Sequence, residues 1–487
     1  MNPQVLKSLF TEEALWALSP LLVLCAGAML VLLADILPGT SALRRPLYLA
    51  TIAGGIACAL RGFGAPEATY LMGSFHHSHA LSAWTLIFLL SGGLAFEFGQ
   101  RYYKEESAFL AEHDVLMLTS IVGMVLMAGA ADLLTFFVGL ETLSVPLYTL
   151  AGFRRARSDS VEAGLKYFIL GAFAAAMFLY GSALVYAATG TISIEVMRGL
   201  GNTLTTPMAL AGFALIVGSL FFKVSVFPFH LWVPDVYQGA PTPVTAFMAT
   251  GTKAAGFAFL LTLMGQNAIN GRPVLPENAA WIVGWIAVLT MAAGNLGALV
   301  QTDMKRMLAY SGIAHAGTML LAIAAGWHDT EPHGAQDALL YYMAAYVFTA
   351  GGAFGLLAWL ESEGGEVTVE SLKGLSSRKP MLAAAMAVFM LSLGGIPPLG
   401  GFWGKYLVFA CAVRADMIPL AVIGVLMSVI ALGYYLKVIV AMYMQPQTES
   451  RASGLSPRWA AAVATGVCAL IVVALGMMPS WVLERLG

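Results

Sequence analysis

Apolar residues fill most of this chain in long runs that short polar stretches separate. An uncharged run of about 20 residues is the length that an α-helix needs to cross a bilayer. Windows of this kind predict fourteen transmembrane helices in one all-α, polytopic membrane domain over residues 1–487. The predicted helices are 14–37, 46–60, 80–99, 113–130, 132–152, 162–188, 207–232, 242–264, 279–299, 307–325, 337–360, 381–412, 418–443 and 459–479.

The composition agrees with a membrane protein. Of the 487 residues, 59% are hydrophobic and 11% are charged, whereas a soluble globular protein is typically about 25% charged. The net charge of −2 and the lack of a basic patch argue against a nucleic-acid partner. The run 14–34 follows Glu12 and Glu13 and has no small-residue cleavage site, so we interpret it as the first span and not as a signal peptide.

No motif for a redox cofactor is visible in the sequence. The four cysteines show no CxxC spacing, and no GxGxxG motif opens a helix after a strand. We therefore expect this chain to bind no cofactor itself. The cluster His76-His77-Ser78-His79 predicts either a metal site or a solvated loop.

The stretch from Phe221 to Phe259 combines apolar sequence with residues that are costly in lipid. It carries Lys223, then Pro228 and His230, then a second apolar run with Lys253. A proline inside a helix removes a backbone donor and frees carbonyl groups, which cannot stay unpaired in lipid. This stretch therefore predicts a broken helix at a place that water or polar side chains reach.

The chain contains an internal repeat. The segment EAGLKYFILGAFAAAMFLYGSALVY resembles DALLYYMAAYVFTAGGAFGLLAWL, and the break at Pro228 has a counterpart at Pro397–Pro398. Lys253 has a counterpart at Lys437. The repeats are predicted to span 113–264 and 279–443, with helices 7 and 12 broken. Each contains five helices, so the second is predicted to lie inverted relative to the first, as in transporters.

Ionisable residues inside the predicted helices are the candidate site. A charge at the bilayer centre costs at least about 2.5–3.5 kcal/mol, so such residues face the bundle interior. All five bases there are lysines, which can release a proton when buried, whereas arginine stays protonated. The candidates are Glu141, Lys166, Lys223, Lys253, Lys405 and Lys437, with His230 and His315 as proton relays.

Several of these residues allow a second interpretation. Glu141 and Lys223 form either a proton-exchanging pair or a static structural pair. Lys166 either takes part in proton transfer or extends to the membrane surface. His230 either relays protons or caps carbonyl groups freed by the break. His315 follows Glu141 by 174 positions and is predicted to occupy the place of that acid in the second repeat.

Four motifs carry a family resemblance that covers nearly the whole chain. They are GLETLSVPLY, FKVSVFPFHLWVPDVYQGAPTPVTAFMATGTKAA, DMKRMLAYSGIAHAG and GGIPPLGGFWGKY. Together they resemble the antiporter-like membrane subunits of proton-pumping NADH:quinone oxidoreductase, respiratory complex I. Within that family, DVYQGAPTPVT resembles the N type, and Lys405 agrees, because the M type is expected to carry a glutamate there.

The resemblance implies proton translocation coupled to quinone reduction elsewhere in a complex, an activity of the translocase class EC 7.1.1. It implies that Glu141 and Lys223 form the family's pair, that Lys253 is its central relay and that Lys405 is its outlet-side lysine. His230 and Lys437 match further family positions.

NADH, FMN, iron–sulfur clusters and quinone are then expected in partner subunits, with M-like and K-like neighbours in a bacterial inner membrane. The alternatives are a subunit of an Mrp-type cation/proton antiporter and a structural anchor that pumps nothing.

The distribution of positive charge predicts the orientation. Fourteen of the 25 basic residues fall on one side of the membrane and six on the other. The first set is Arg44, Arg45, Arg101, Lys104, Arg154, Arg155, Arg157, Lys305, Arg306, Lys373, Arg378, Lys379, Arg451 and Arg458. The second set is Lys7, Arg61, Arg198, Arg272, Arg414 and Arg485.

The first set should therefore face the cytoplasm, which places both termini outside. Reporter fusions in the loop 154–157 should report a cytoplasmic location, and a fusion after residue 272 should report the outer side. Fusions that place the loop 154–157 outside would contradict this topology.

Overall fold

A computed structural model gives the fold for residues 11–100, 102–103, 110–200, 206–264, 278–326, 334–362, 367–446 and 459–486. Six basic residues used for the orientation lie outside this range, namely Lys7, Arg101, Lys104, Arg272, Arg451 and Arg458. The helices before the first predicted break are α1 (Glu12–Ala17), α2 (Ser19–Ile36), α3 (Arg44–Gly62), α4 (His79–Gly99), α5 (Leu110–Ala128), α6 (Leu133–Ala151), α7 (Ser158–Thr189), α8 (Ile194–Gly199) and α9 (Pro207–Val224).

The helices after that break begin with a short one. They are α10 (Trp232–Gly239), α11 (Thr242–Met264), α12 (Asn278–Leu299), α13 (Met304–Ala325), α14 (Gly334–Glu361), α15 (Leu375–Arg378), α16 (Pro380–Gly394), α17 (Gly400–Arg414), α18 (Ile418–Met444), α19 (Trp459–Met477) and α20 (Pro479–Leu486).

Every predicted window contains a helix. Eleven helices of the described chain are long and apolar enough to cross a membrane, so the protein is a multi-pass membrane protein. The other predicted windows hold α3, which carries three arginines, the pair α16 and α17, which are 15 residues each, and α19. The count of fourteen spans therefore stays a prediction.

Three helices form the centre of the bundle. The chain's own residues bury all of the apolar window of α11, 94% of that of α13 and 83% of that of α14. In contrast, only 28% of the window is buried in α7 and in α18, which lie at the periphery. Lys253, a candidate site residue, is on α11, so the packing of this helix places it in the interior.

The described chain is mostly helical, as predicted, but it also contains one short hairpin that the sequence analysis does not predict. Strands β1 (Ala68–Tyr70) and β2 (Phe75–His77) form an antiparallel hairpin between α3 and α4. The hairpin docks on the loop that joins α5 to α6, where the amide of His76 donates to the carbonyl of Gly129 at 2.8 Å. Three-residue strands give too short an alternating pattern to be recognised in sequence.

The second helix of each predicted repeat begins with the same backbone arrangement. Asp132 caps the N-terminus of α6, and Asp303, which is 171 positions later, caps that of α13. Each aspartate forms an isolated bridge with a later segment, at Ser193 and Thr368 respectively. The bridge partners are 175 positions apart (368 − 193), close to the 171 positions between the aspartates. A shared cap and a shared bridge at similar spacings support one duplication.

Both broken helices also have the same geometry. Helix α9 ends at Ser225 with φ +69°, and α16 ends at Gly395 with φ +84°, so each stops in a left-handed cap. In both caps the next amide donates back to the residue five positions earlier, at 2.9 Å for Val226 and 3.0 Å for Ile396. The proline breaks thus fall in equivalent places of the two repeats.

Lys305 is placed differently from the sequence expectation. The predicted helix 307–325 begins after Lys305, which is counted with the cytoplasmic charges, but Lys305 lies in the first turn of α13 and is only 4% exposed. The aspartate cap at position 303 starts the helix two residues before this lysine, and neighbouring segments then cover the side chain.

We predict that Gly395→Ala destabilises the subunit more than Gly39→Ala does. Both glycines have a positive φ, but an added Cβ at Gly395 would lie 3.0 Å from Cδ of Lys405, whereas Gly39 has open space around it. Left-handed backbone costs about 1–2 kcal/mol at either site. Thermal denaturation of the purified protein should therefore show the larger loss for Gly395→Ala, and equal losses would contradict crowding at Lys405.

Candidate functional site

The first buried lysine, Lys223, lies in the last turn of α9 and is 5% exposed. Its ammonium donates to the hydroxyl oxygen of Ser144 on α6 at 2.7 Å. Glu141 precedes Ser144 by three residues and so lies on the same face of α6. Its carboxylate is not in direct contact with the lysine, and Oε1 is buried with no hydrogen-bond partner among the described residues. Glu141 is therefore about one helical turn along α6 from the serine that Lys223 contacts.

Close packing brings the first lysine towards the second. Helix α9 packs on α11 at Gly256, where an added Cβ would meet Cγ1 of Val224 at 2.4 Å and Cγ of Lys223 at 3.9 Å. Gly256 is three residues, or about one turn, after Lys253. The absence of a side chain at Gly256 thus lets the two lysine-bearing helices approach.

Lys253 follows an irregular part of α11. Residues Met248–Thr252 form a π-helical turn, a feature that is frequent at functional sites. The ammonium of Lys253 donates to the carbonyl of Gly312 on α13 at 2.6 Å and lies 5.6 Å from the ring centre of Tyr346 on α14. Lys253 is 1% exposed, so all three central helices meet at this group.

Aromatic hydroxyl groups surround His315 on α13. Its Nδ1 lies 2.7 Å from the hydroxyl of Tyr342, and its Nε2 lies 3.1 Å from that of Tyr435. The Tyr435 hydroxyl in turn lies 2.5 Å from Oγ of Ser311. The ring of His315 is also 5.1 Å from that of Tyr346, which contacts Lys253. His315 is therefore next to the central lysine, as a relay requires.

The structure corrects the predicted equivalence of His315 and Glu141. Counted from the capping aspartates, His315 is the twelfth residue after Asp303, and the twelfth after Asp132 is Ser144. His315 thus takes the place of the serine that holds Lys223, one turn beyond the acid. The spacing of 174 missed this because the caps are 171 positions apart.

The third buried lysine among the candidates, Lys405, lies on α17 near His315. It is 7% exposed, and its ammonium donates to the carbonyl of Gly394 at 3.1 Å. This carbonyl belongs to the last turn of α16, which the break at Pro397 and Pro398 leaves without a helical partner. Lys405 and His315 both line a cavity of about 10 Å³, which is near the smallest volume that holds one water molecule.

We call Lys223, Lys253, His315 and Lys405 the polar row. Three of its members are lysines that donate to neutral oxygen atoms. A buried charge is costly unless it is paired and hydrogen-bonded, and a lysine relieves that cost by releasing its proton. The arrangement can therefore hold protons at successive sites through the membrane interior.

Three predicted residues are not joined to the polar row. His230 is 7% exposed, and its Nδ1 has no hydrogen-bond partner among the described residues, so it does not cap a freed carbonyl through that atom. Lys437 is exposed on α18 and donates to the carbonyl of Gln301 at 3.2 Å. Lys166 is partly exposed and pairs with Glu162 at 2.7 Å and with Asp235 at 3.0 Å.

The sequence analysis did not predict the groups that accept hydrogen bonds from the lysines or the aromatic groups that surround them. Ser144 and Gly312 are acceptors, and Tyr342, Tyr346 and Tyr435 line the path around His315. Serine, glycine and tyrosine are ordinary residues of membrane helices, and a carbonyl acceptor leaves no mark in the sequence. A tyrosine pair at i and i+4 on α14 was the one available signal.

No metal site forms at the histidine cluster within the described residues, where no group of three or more metal-ligating side chains occurs. His77 is buried beside Ser82, and Ser78 caps α4. Burial is the main cause that lowers the pKa of His77 below its usual value. The cluster thus serves to join the hairpin to the helix.

Comparisons with known proteins agree with one another. Residues 130–431 match the family described as NADH:quinone oxidoreductase/Mrp antiporter, TM. NADH-quinone oxidoreductase subunit N of Salinibacter ruber is 43% identical over 86% of this chain and 85% of its own.

Two solved structures share the fold. A chain of respiratory complex I from Thermus thermophilus has a TM-score of 0.79 and 37% identity, covering 96% of this chain and 99% of that one. A chain of the Mrp complex from Dietzia sp. has a TM-score of 0.83 over 98% of this chain and 96% of that one, but only 21% identity, so that likeness concerns the fold alone. The extent and identity of these matches show that the chain belongs to the NADH:quinone oxidoreductase/Mrp antiporter family, in the branch of NADH-quinone oxidoreductase subunit N.

Proposed function

We propose that this chain is a proton-translocating subunit of the membrane arm of an NADH:quinone oxidoreductase in a bacterial inner membrane. The observation that carries the proposal is the polar row, in which Lys223, Lys253 and Lys405 are buried and donate to neutral oxygen atoms. Fixed structural charges would need an anionic partner to offset their desolvation. Three lysines that make no such contact within the described part of the chain are better suited to exchange protons.

Each half of the chain contributes to the proposed route. In the first half, Glu141 lies one turn along α6 from Ser144, the residue that Lys223 contacts. When ionised, Glu141 would favour the protonated form of Lys223, and when Glu141 is itself protonated, Lys223 could lose its proton. Lys253 passes the proton from the first half to the second, across the contact between α11 and α13. His315, with its tyrosine hydroxyls, then connects Lys253 to Lys405.

The redox reaction is proposed to belong to other subunits of the complex. NADH, FMN, iron–sulfur clusters and quinone would be held there, with M-like and K-like subunits beside this chain, and the whole complex would be a translocase of class EC 7.1.1. Co-purification with flavin-containing and iron–sulfur subunits would support this assignment. Co-purification with only Mrp-type subunits would favour the antiporter instead.

We further propose fourteen membrane spans and two inverted five-helix repeats, over 113–264 and 279–443. The equivalent caps at Asp132 and Asp303 and the equivalent breaks support this division. Inversion would place each break in the opposite half of the membrane, so that one opens a route from each side.

Lys253→Ala should abolish most of the proton pumping while the complex still assembles. A positioned proton-transfer group contributes about 10²–10⁴-fold to a rate, so pumping should fall by about tenfold or more. Lys253→Arg should fail nearly as badly, because arginine keeps its proton. Proton uptake and NADH oxidation in membrane vesicles, compared at equal amounts of assembled complex, measure both effects. Full pumping by the arginine variant would show that Lys253 is a fixed charge.

Lys405→Ala and Lys437→Ala should differ sharply in their effect on proton pumping. Lys405 is buried beside the cavity next to His315, whereas Lys437 lies on the exposed face of α18. Pumping by Lys405→Ala should fall by about tenfold or more, and Lys437→Ala should keep wild-type pumping within about twofold, since a peripheral charge is not part of a buried relay. The same vesicle measurement tests this, and equal losses would contradict the assignment of the polar row.

A further inference from the structure

Two adjacent cations at the start of α13 bind the segment 225–241, which joins α9, the helix of Lys223, to α11, the helix of Lys253. Arg306 contacts α10, with its Nη1 lying 2.6 Å from Oδ1 of Asp235 and donating to Oε1 of Gln238 at 3.1 Å. Lys305 donates from Nζ to the carbonyl of Ala240 at 2.7 Å. The middle and the C-terminal end of the short helix α10 are therefore fixed to the second half of the chain.

Asp235 is shared by two cations. Partial burial by itself would raise the pKa of its carboxyl group, but hydrogen bonds from Arg306 and Lys166 lower that pKa below its usual value. The carboxylate is thus ionised at neutral pH, and the contact with Arg306 is an ion pair.

Glu361, the last residue of α14, fixes the next part of the segment. Its carboxylate accepts a hydrogen bond from the hydroxyl of Thr242, the first residue of α11. It also lies 4.0 Å from Nζ of Lys305 and 3.8 Å from Nη1 of Arg157. The charged groups that face Lys305 are Glu361, Asp303, Arg157 and Asp159.

These contacts are connected to the polar row at two points. The bound segment runs from the break after Lys223 to the start of α11 at Thr242. Lys253 follows Thr242 by eleven residues on the same helix. On the opposite side, Gly312, which accepts the hydrogen bond of Lys253, follows Lys305 by seven residues and lies on the same face of α13, about 10.5 Å away. One helix therefore holds both the segment and the central lysine.

We propose that Lys305, Arg306 and Glu361 form a clamp between the two halves that positions Lys253 against Gly312. This inference rests on the proposed role of Lys253 in proton transfer. Lys305 acts by its charge and its hydrogen bond to Ala240 and does not carry the transported proton. Arg306 beside it grips the same segment with a guanidinium group, which keeps its proton.

Lys305→Met and Lys305→Arg in the intact complex test the clamp. Lys305→Met removes the cation at similar length and should lower the number of protons pumped per NADH by about twofold or more, the range expected for residues that couple two sites. It should also speed amide hydrogen exchange in residues 231–245 of the assembled complex. Lys305→Arg keeps the charge and the donor, so it should restore both properties.

Lys373→Met is the matched control, because Lys373 is a partly exposed lysine on the same predicted side and pairs only locally, with Glu370 at 2.6 Å. It should leave pumping and amide exchange unchanged. If Lys305→Met does not assemble, Arg306→Gln removes the other cation and leaves Lys305 on Ala240, and the same measurements apply to it.

Wild-type exchange and pumping in assembled Lys305→Met would overturn the clamp. Failure of Lys305→Arg to restore pumping would also overturn it, because the position would then need an exchangeable proton. A third outcome separates the two proposals: amide exchange is faster in Lys305→Met, but pumping is normal in both Lys305→Met and Lys253→Ala. That result would support the binding of the segment by Lys305 and would refute the proposed function of Lys253.

Discussion

The hydrogen bond from the Lys253 ammonium to the Gly312 carbonyl joins the centres of both halves of the protein. A helix carbonyl at mid-membrane normally receives a backbone amide, and Gly312 accepts the lysine in addition because nothing stands between them. An added Cβ at Gly312 would lie 3.0 Å from the lysine nitrogen and 3.2 Å from the Tyr346 hydroxyl. The packing of three helices around this contact is what keeps an ionisable group in an otherwise apolar interior.

One of the two helix breaks supplies the acceptor of a buried lysine. A lysine that exchanges its proton, as we propose for these residues, needs an acceptor that tolerates both the amine and the ammonium, and a neutral oxygen does so better than a carboxylate. The break before Pro397 leaves the carbonyl of Gly394 for Lys405. At the other break, the indole of Trp232 donates to the carbonyl of Phe222 at 3.1 Å, and Lys223 donates to the hydroxyl of Ser144 on α6.

The two halves thus share a backbone frame and differ in their chemistry. Equivalent aspartates start α6 and α13, and equivalent left-handed caps end α9 and α16. Within this frame the first half places an acid and a serine near its lysine, whereas the second half places a histidine among tyrosines. Similar backbone frames with different side chains agree with the proposed route, in which the two halves perform successive steps.

The sequence by itself determined the helices and the buried cations. Hydropathy and length suffice for helix positions because a bilayer requires long apolar runs, and prolines inside such runs identified both breaks. Lys223, Lys253 and Lys405 were recognisable because few lysines are tolerated there. These features depend on local composition, which a sequence displays directly.

The tertiary structure alone decided which polar residues meet. Lys437 and Lys253 have similar sequence surroundings, but one faces outwards and the other is in the core, because helix rotation depends on packing partners. Lys305 precedes the predicted helix, and only the structure shows that residues of α10, α13 and α14 surround it. Acceptors such as Ser144 and the Gly312 carbonyl became visible only in three dimensions, since each acquires its role from a neighbour that is distant in the chain.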